Sequence, residues 1–354
     1  MAFAFRRKTM AGAVVLVTTV SMAIAGCATN DPESGNSPSK SAASAAQPSK
    51  APASKSPAAK PSVSSGASAP AGMPSGPVPA GKYGVGAAVT KPDCTEPPSS
   101  YSSLKAPGTV VKDIDGLEPG TNHGTAADKY AYPAAVVNQW LKKPSTQPKN
   151  KKIVFVTFDD GPTAKFTGEQ LDNLEKAGAR ATFFMIAPQL RDVNKEMLSR
   201  SLKMGNALAV HSYSHDYNYL YPGHAASAKH ISCDWDWATA QSRAILGSSY
   251  FSSAFRYPGG HMSWTKLSQA DQALAKCGVA WIDWNAMSGD ADVQRPKTVD
   301  GYLKMVKKTI NESGDPNVVV ILNHDTYGKQ MTAEAMPSIL KWLKSEGYEF
   351  GVIS

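Results

Sequence analysis

The sequence predicts an α/β fold, a distorted (β/α)7-type barrel preceded by a disordered tether. Three observations carry that expectation. Apolar runs of strand length recur seven times after Lys151, stretches with helical spacing lie between them, and Ala28 to Lys82 consists largely of Ala, Ser, Pro, Gly and Lys. Alternating strand and helix favours a parallel sheet with crossover helices. Seven repeats in a segment of about 200 residues favour a barrel over an open sheet.

The strand runs are Ile153 to Phe158, Ala181 to Ile186, Ala207 to Val210, Ala254 to Tyr257, Val279 to Asp283, Val318 to Leu322 and Tyr348 to Ile353. Helical spacing shows between them, as in Leu171, Leu174 and Ala177, and again in Met336, Ile339, Leu340 and Leu343. Upstream, residues 83–150 read as an N-terminal extension packed on the main domain, with a short helix at Ala134 to Lys142. Tyr130, Tyr132 and Trp140 are its packing residues, and a separate small module is the alternative. Residues 151–354 form the main domain.

The chain opens with Arg6, Arg7 and Lys8 before an uncharged run from Thr9 to Gly26, the form of a secretory leader. That run is too short and too weakly apolar for a lone membrane span, which takes roughly 20 apolar residues. Its end, Ile24-Ala25-Gly26-Cys27, resembles a bacterial lipobox. Residues 1–26 are then a lipoprotein signal peptide, Cys27 is the lipidated N-terminus, and the protein is a membrane lipoprotein on the extracellular face. Cleavage after Ala23-Ile24-Ala25, which releases a secreted form, is the alternative. Residues 27–82 carry too little apolar surface to offset their ordering entropy and form the tether.

The formal charge of +8 does not indicate a nucleic-acid partner. Residues 151–354 hold 22 Lys and Arg against 21 Asp and Glu, so the excess sits upstream of the folded part, where it offers no basic binding face. With Cys27 lipidated, Cys94, Cys233 and Cys277 remain, an odd number in a compartment that permits disulfides. Cys233 with Cys277 is the expected pair, and three buried thiols the alternative.

In such barrels reactive groups gather at the C-terminal strand ends. The first strand run ends in Thr157-Phe158-Asp159-Asp160-Gly161-Pro162. Two adjacent buried carboxylates repel unless a cation or proton is shared. The third is followed by His211-Ser212-Tyr213-Ser214-His215, two imidazoles that can converge on one point. Two nitrogens and one oxygen make a three-ligand metal set with a position left for water. The next three runs end in Arg256-Tyr257-Pro258-Gly259-Gly260, Asp283-Trp284-Asn285 and Leu322-Asn323-His324-Asp325.

TFDDGP, HSYSH, RYPGG, DWN and LNH, in this order, resemble the five motifs of the polysaccharide deacetylases, the NodB-homology carbohydrate esterases of family four. The stretch from Asp283 through Ser288-Gly289-Asp290 is most similar to bacterial peptidoglycan N-acetylglucosamine deacetylases. The resemblance implies that Asp160, His211 and His215 hold a divalent metal, zinc first, with cobalt, nickel or manganese as alternatives. It implies Asp159 as general base toward the attacking water, oriented by Arg256, and His324 as general acid on the leaving amine, with Asp283 as its partner. A backbone N–H near Gly259 would stabilise the oxyanion, Trp284 and Leu322 would wall the acetyl pocket, and Tyr257 could touch substrate. Some members carry Tyr where Gly259 stands here, so the sugar-facing wall differs.

The expected function is metal-dependent N-deacetylation of N-acetylglucosamine-type residues in peptidoglycan, by a monomer whose partners are the envelope glycan and, through its lipid, the membrane. Chitin oligomers, poly-N-acetylglucosamine and O-acetylated xylan are alternative polymers. A non-catalytic glycan-binding lipoprotein is the alternative of another class; it requires loss of Asp159, a metal ligand or His324, and all are present.

Overall fold

The computed structural model describes Cys94 and residues 108–354. The leader, Cys27 and the tether lie outside the described residues. Strand β1 (Ala131–Tyr132) and helix α1 (Ala134–Lys142) come first, followed by β2 (Lys152–Asp159), α2 (Phe166–Ala177), β3 (Ala181–Ile186), α3 (Lys195–Lys203) and β4 (Ala207–Ser212). Then come α4 (Tyr217–Leu220), α5 (Ala228–Leu246), β5 (Ala254–Phe255), α6 (Ser268–Lys276), β6 (Ala280–Trp281) and β7 (Ala286–Met287). The chain closes with α7 (Val299–Glu312), β8 (Val318–His324), α8 (Gln330–Ser345), β9 (Tyr348–Phe350) and β10 (Val352–Ile353).

All pairings between these strands are parallel, and the main sheet runs β6-β5-β4-β3-β2-β8-β7 with β9 also on β2. Its two edges, β6 and β7, are joined by only Ile282 to Asn285, so these residues cross the opening of a curled sheet. Asn285 bridges there to β8: its amide oxygen accepts the Val320 N–H at 2.8 Å and its Nδ2 donates to the Val318 carbonyl at 3.0 Å. The distortion of the barrel is this gap. The last expected strand is two, β9 on β2 and β10 on β1, divided at Gly351, where a Cβ would meet the Phe155 ring at 2.7 Å.

The period-two geometry of strands sorts the side chains into two layers. Val154, Val156 and Phe158 of β2 join the outer layer beneath the helices, with Leu171, Leu174, Ile339 and Leu340. Ile153 and Phe155 face inward with Phe184, Ala209, Ala254, Val318 and Val320. Val136, Val137 and Trp140 of α1 belong to this same inner cluster. Asn138 Nδ2 bonds the Trp281 carbonyl, fixing α1 against β6 beside the gap. Residues 130–142 therefore close one end of the inner layer, leaving the other end to polar side chains.

The disulfide differs from the expected one. Cys94 pairs with Cys233 on α5, and Cys277, at the end of α6, is a buried thiol in the outer layer.

Candidate active site

The inward alternation of β2 continues from Ile153 and Phe155 to Thr157 and Asp159 at its C-terminal end. The same alternation brings His211 inward on β4 after Ala209, and His324 inward on β8 after Val318, Val320 and Leu322. Register pairs Asp159 with His324 across β2 and β8. Three strands thus place a carboxylate and two imidazoles at one end of the curled sheet.

Asp160 follows at φ 70°, left-handed backbone that non-glycine residues seldom adopt, which turns its carboxylate toward the imidazoles. Its Oδ1 lies 3.5 Å from His211 Nε2 and 3.3 Å from His215 Nε2. One ligand atom from each of the three residues falls within 4.8 Å of the others. His211 Nδ1 donates to the Arg256 carbonyl at 2.7 Å, so the proton sits on Nδ1 and the Nε2 lone pair faces the cluster. Burial, with His215 adjacent, pushes the His211 pKa down to about 3, keeping it neutral as a ligand must be. Asp160 Oδ1 is buried without a hydrogen-bond partner. A buried acceptor left unsatisfied beside two imidazole nitrogens fits a divalent cation of the borderline class that takes nitrogen and oxygen ligands.

Asp159, 3% exposed, accepts at Oδ1 from Arg256 Nη1 at 2.7 Å. The fully buried Arg256 also donates to Thr157 Oγ1 at 2.7 Å and to the Ile282 carbonyl at 3.1 Å, and its guanidinium lies 4.1 Å from the Phe184 ring centre. Burial raises the Asp159 carboxyl, and the Arg256 charge opposes that rise. The result is a basic carboxylate held at fixed orientation.

His324 is paired with Asp290 rather than Asp283. Its Nδ1 donates to Asp290 Oδ1 at 2.8 Å and its backbone N–H to Asp290 Oδ2 at 2.8 Å. Thr332 Oγ1 completes the carboxylate at 2.9 Å. Burial disfavours the imidazolium, but the bond to Asp290 and the charges of Asp290, Asp160 and Asp159 outweigh it and raise the His324 pKa to about 9. Asp283 instead accepts the backbone N–H groups of His261 and Met262 at 2.9 and 3.2 Å, so it shapes the loop after Gly260. The physical reason is β7: it lies beside β8 and delivers the following Asp290 to His324, whereas Asp283 leaves β6 at the other edge of the sheet.

Tyr257 is a second correction. It is 1% exposed, belongs to the outer layer, and its hydroxyl donates to Asp271 Oδ1 at 2.8 Å, which makes it a packing residue. Gly259 adopts φ 78°, and a Cβ there would meet Trp264 at 3.1 Å and the Tyr217 hydroxyl at 3.4 Å. Trp264 and Tyr217 thus occupy the space beside a residue that is Tyr in some proteins with this motif. Trp284 lies against Gly260 and with its ring centre 5.5 Å from the Arg256 guanidinium, and Leu322 is buried one inward step before His324.

The polysaccharide deacetylase family matches residues 146–280 of this chain. A putative polysaccharide deacetylase, YheN, of Bacillus subtilis is 34% identical over 203 residues, covering 57% of this chain and 67% of that protein. The structure of a Streptococcus mutans CE4 esterase superposes with a TM-score of 0.63 at 38% identity, covering 67% of this chain and 98% of that one. The chain belongs to the polysaccharide deacetylase family. Members are hydrolases, and this deacetylase shares their curled parallel α/β fold. A peptidoglycan-N-acetylglucosamine deacetylase of Bacillus cereus is 29% identical over 213 residues, covering 58% of this chain and 89% of that protein. Coverage of the curated relatives' own length ranges from 31% to 89%, so the matched unit also occurs as one part of longer proteins.

Three side chains that sequence reading left without a role surround the site: Asp290, Asp234 and Asp325. Asp290 had a signal, since it follows Ser288-Gly289 within the quoted motif. Asp325 was visible only as the neighbour of His324; it accepts from Thr167 Oγ1 at 2.5 Å, and burial raises its pKa to about 7. Asp234, in the middle of α5, carried no local signal.

Proposed function

We propose that this chain is a metal-dependent N-deacetylase acting on N-acetylglucosamine-type residues of peptidoglycan. The observation that carries the reading is the convergence of Asp160, His211 and His215 between two opposed groups, Asp159 on Arg256 and His324 on Asp290. A divalent metal, zinc in this reading, would be held by Asp160, His211 and His215; when bound it supplies Lewis acidity toward the acetyl carbonyl and lowers the pKa of a water. Asp159 takes the proton from the attacking water, its orientation fixed by Arg256. His324, protonated through its bond to Asp290, gives a proton to the departing amine. Trp284 and Leu322 flank the acetyl methyl, and the backbone at Gly259 offers an N–H to the developing oxyanion.

The rim suits a sugar chain. Exposed Tyr217 has its ring 5.4 Å from that of His215 and 5.2 Å from that of Trp264, and Tyr327 is exposed just after His324. Such side chains offer a flat apolar face with a polar tip. The Bacillus cereus relative, of which the chain covers 89%, is named for peptidoglycan, and a tether beneath the wall favours the same polymer. Cys27 would carry the lipid; Cys27→Ser is expected to move the protein from the membrane fraction to the medium, and a wild-type protein already found in the medium would contradict the anchor.

The test of the polymer is acetate release from peptidoglycan fragments, chitin oligomers and acetylated xylan, compared at equal acetyl concentration. Peptidoglycan fragments are expected to give the highest kcat/KM. Faster release from xylan would overturn the amide assignment, and faster release from chitin the polymer.

A further inference from the structure

Asp234 is 1% exposed on α5, on the helix-covered side of β4, away from the inward-facing His211. Its carboxylate is spent on the loop between the two histidines. Oδ2 accepts from Ser212 Oγ at 2.7 Å and from the Tyr213 N–H at 2.8 Å, and Oδ1 from the Ser214 N–H at 2.9 Å. Ser212 Oγ in turn accepts the His215 N–H at 2.7 Å.

His215 needs such support. It sits at φ 55°, a conformation unfavourable for a non-glycine residue that persists only where surroundings over-determine it. In that conformation its Nε2 reaches 3.3 Å from Asp160 Oδ1. Burial of a carboxylate is costly, and backbone N–H groups together with a hydroxyl offset it only while the loop keeps this shape. The carboxylate and the loop conformation therefore depend on each other.

We propose that Asp234, acting through the Ser212 hydroxyl and the backbone N–H groups of Tyr213 and Ser214, is a positioning residue that sets the HSYSH loop for metal capture, so that metal affinity depends on a carboxylate outside the ligand set. The inference rests on reading Asp160, His211 and His215 as metal ligands.

The test titrates zinc and cobalt(II) into the metal-free full chain by calorimetry and follows amide exchange of residues 213–215 before metal is added. Ser212→Ala breaks the relay to His215 and leaves Asp234 on the backbone; it is expected to weaken both metals by about tenfold to a hundredfold, the range for partners of metal ligands. The same variant is expected to speed exchange at 213–215 while the metal-free melting temperature stays within a few degrees of wild type. Ser212→Thr, which keeps the hydroxyl, is expected to restore affinity. Asp234→Asn turns an NH2 toward the Ser214 N–H and is expected to weaken metal similarly; should it fail to fold, Ser212→Ala carries the test. Wild-type affinity and exchange in Ser212→Ala would overturn the proposal, as would equal loss in Ser212→Thr. A wild-type chain that takes up neither metal overturns the ligand assignment and the inference with it, before any variant is compared.

Discussion

Asp159→Asn is expected to lower kcat for acetate release by about a thousandfold, the middle of the range for a positioned general base, with bound metal retained. The direction follows from what Asn keeps and loses. Its Oδ1 can still accept from Arg256, now at 2.7 Å from Asp159, so the geometry is approximately preserved. It cannot take a proton. Asp160, His211 and His215 are untouched, so metal content by atomic absorption should match wild type. The buried Arg256 guanidinium would lose its counter-charge, and removing one partner of a buried pair costs on the order of 3–5 kcal/mol, so the urea midpoint should fall as well. Loss of metal together with activity would move Asp159 into the ligand set.

Asp290→Asn is expected to lower kcat about a hundredfold near pH 8 and to move the alkaline limb of the kcat/KM profile to lower pH. His324 must be protonated to give a proton to the amine, and its pKa raised to about 9 keeps it so throughout the neutral range. Burial works against the imidazolium, while the bond and the charge of Asp290 work for it. Removing that charge leaves burial in control, so the pKa falls and the protonated fraction is lost from the alkaline side downward. Asp283→Asn serves as contrast, because its carboxylate bonds the His261 and Met262 backbone and should leave the alkaline limb in place. A limb that moves in Asp283→Asn and stays in Asp290→Asn would reverse the assignment.

The long strands were legible because they are buried on both faces, which leaves nearly continuous apolar runs in β2, β3 and β8. Ala181–Ile186 and the helix Ala134–Lys142 match the expected bounds. β7 was not legible: two residues make no pattern, and Asn285 beside it supplies side-chain bonds where a longer strand would use backbone. The resemblance implied Asp283, in the DWN motif, as the partner of His324, whereas the carboxylate that meets His324 is Asp290, which follows β7, a strand too short to show in the sequence. His211 and His215 were legible as a pair because they stand four residues apart, whereas Asp160, after another strand, was joined to them only by the order of the motifs. The Cys94–Cys233 bridge and the bonds from Asp234 join residues far apart in the chain, and no periodicity records which distant side chains meet.

The most direct test of the account titrates zinc into the metal-free chain and measures acetate released from peptidoglycan fragments against metal bound. The account predicts no release without metal, a rise in proportion to occupancy, and saturation at one metal per chain, the number the Asp160, His211 and His215 cluster can hold. Full activity in the metal-free chain, or a filled site that releases no acetate from any acetylated glycan, would contradict it.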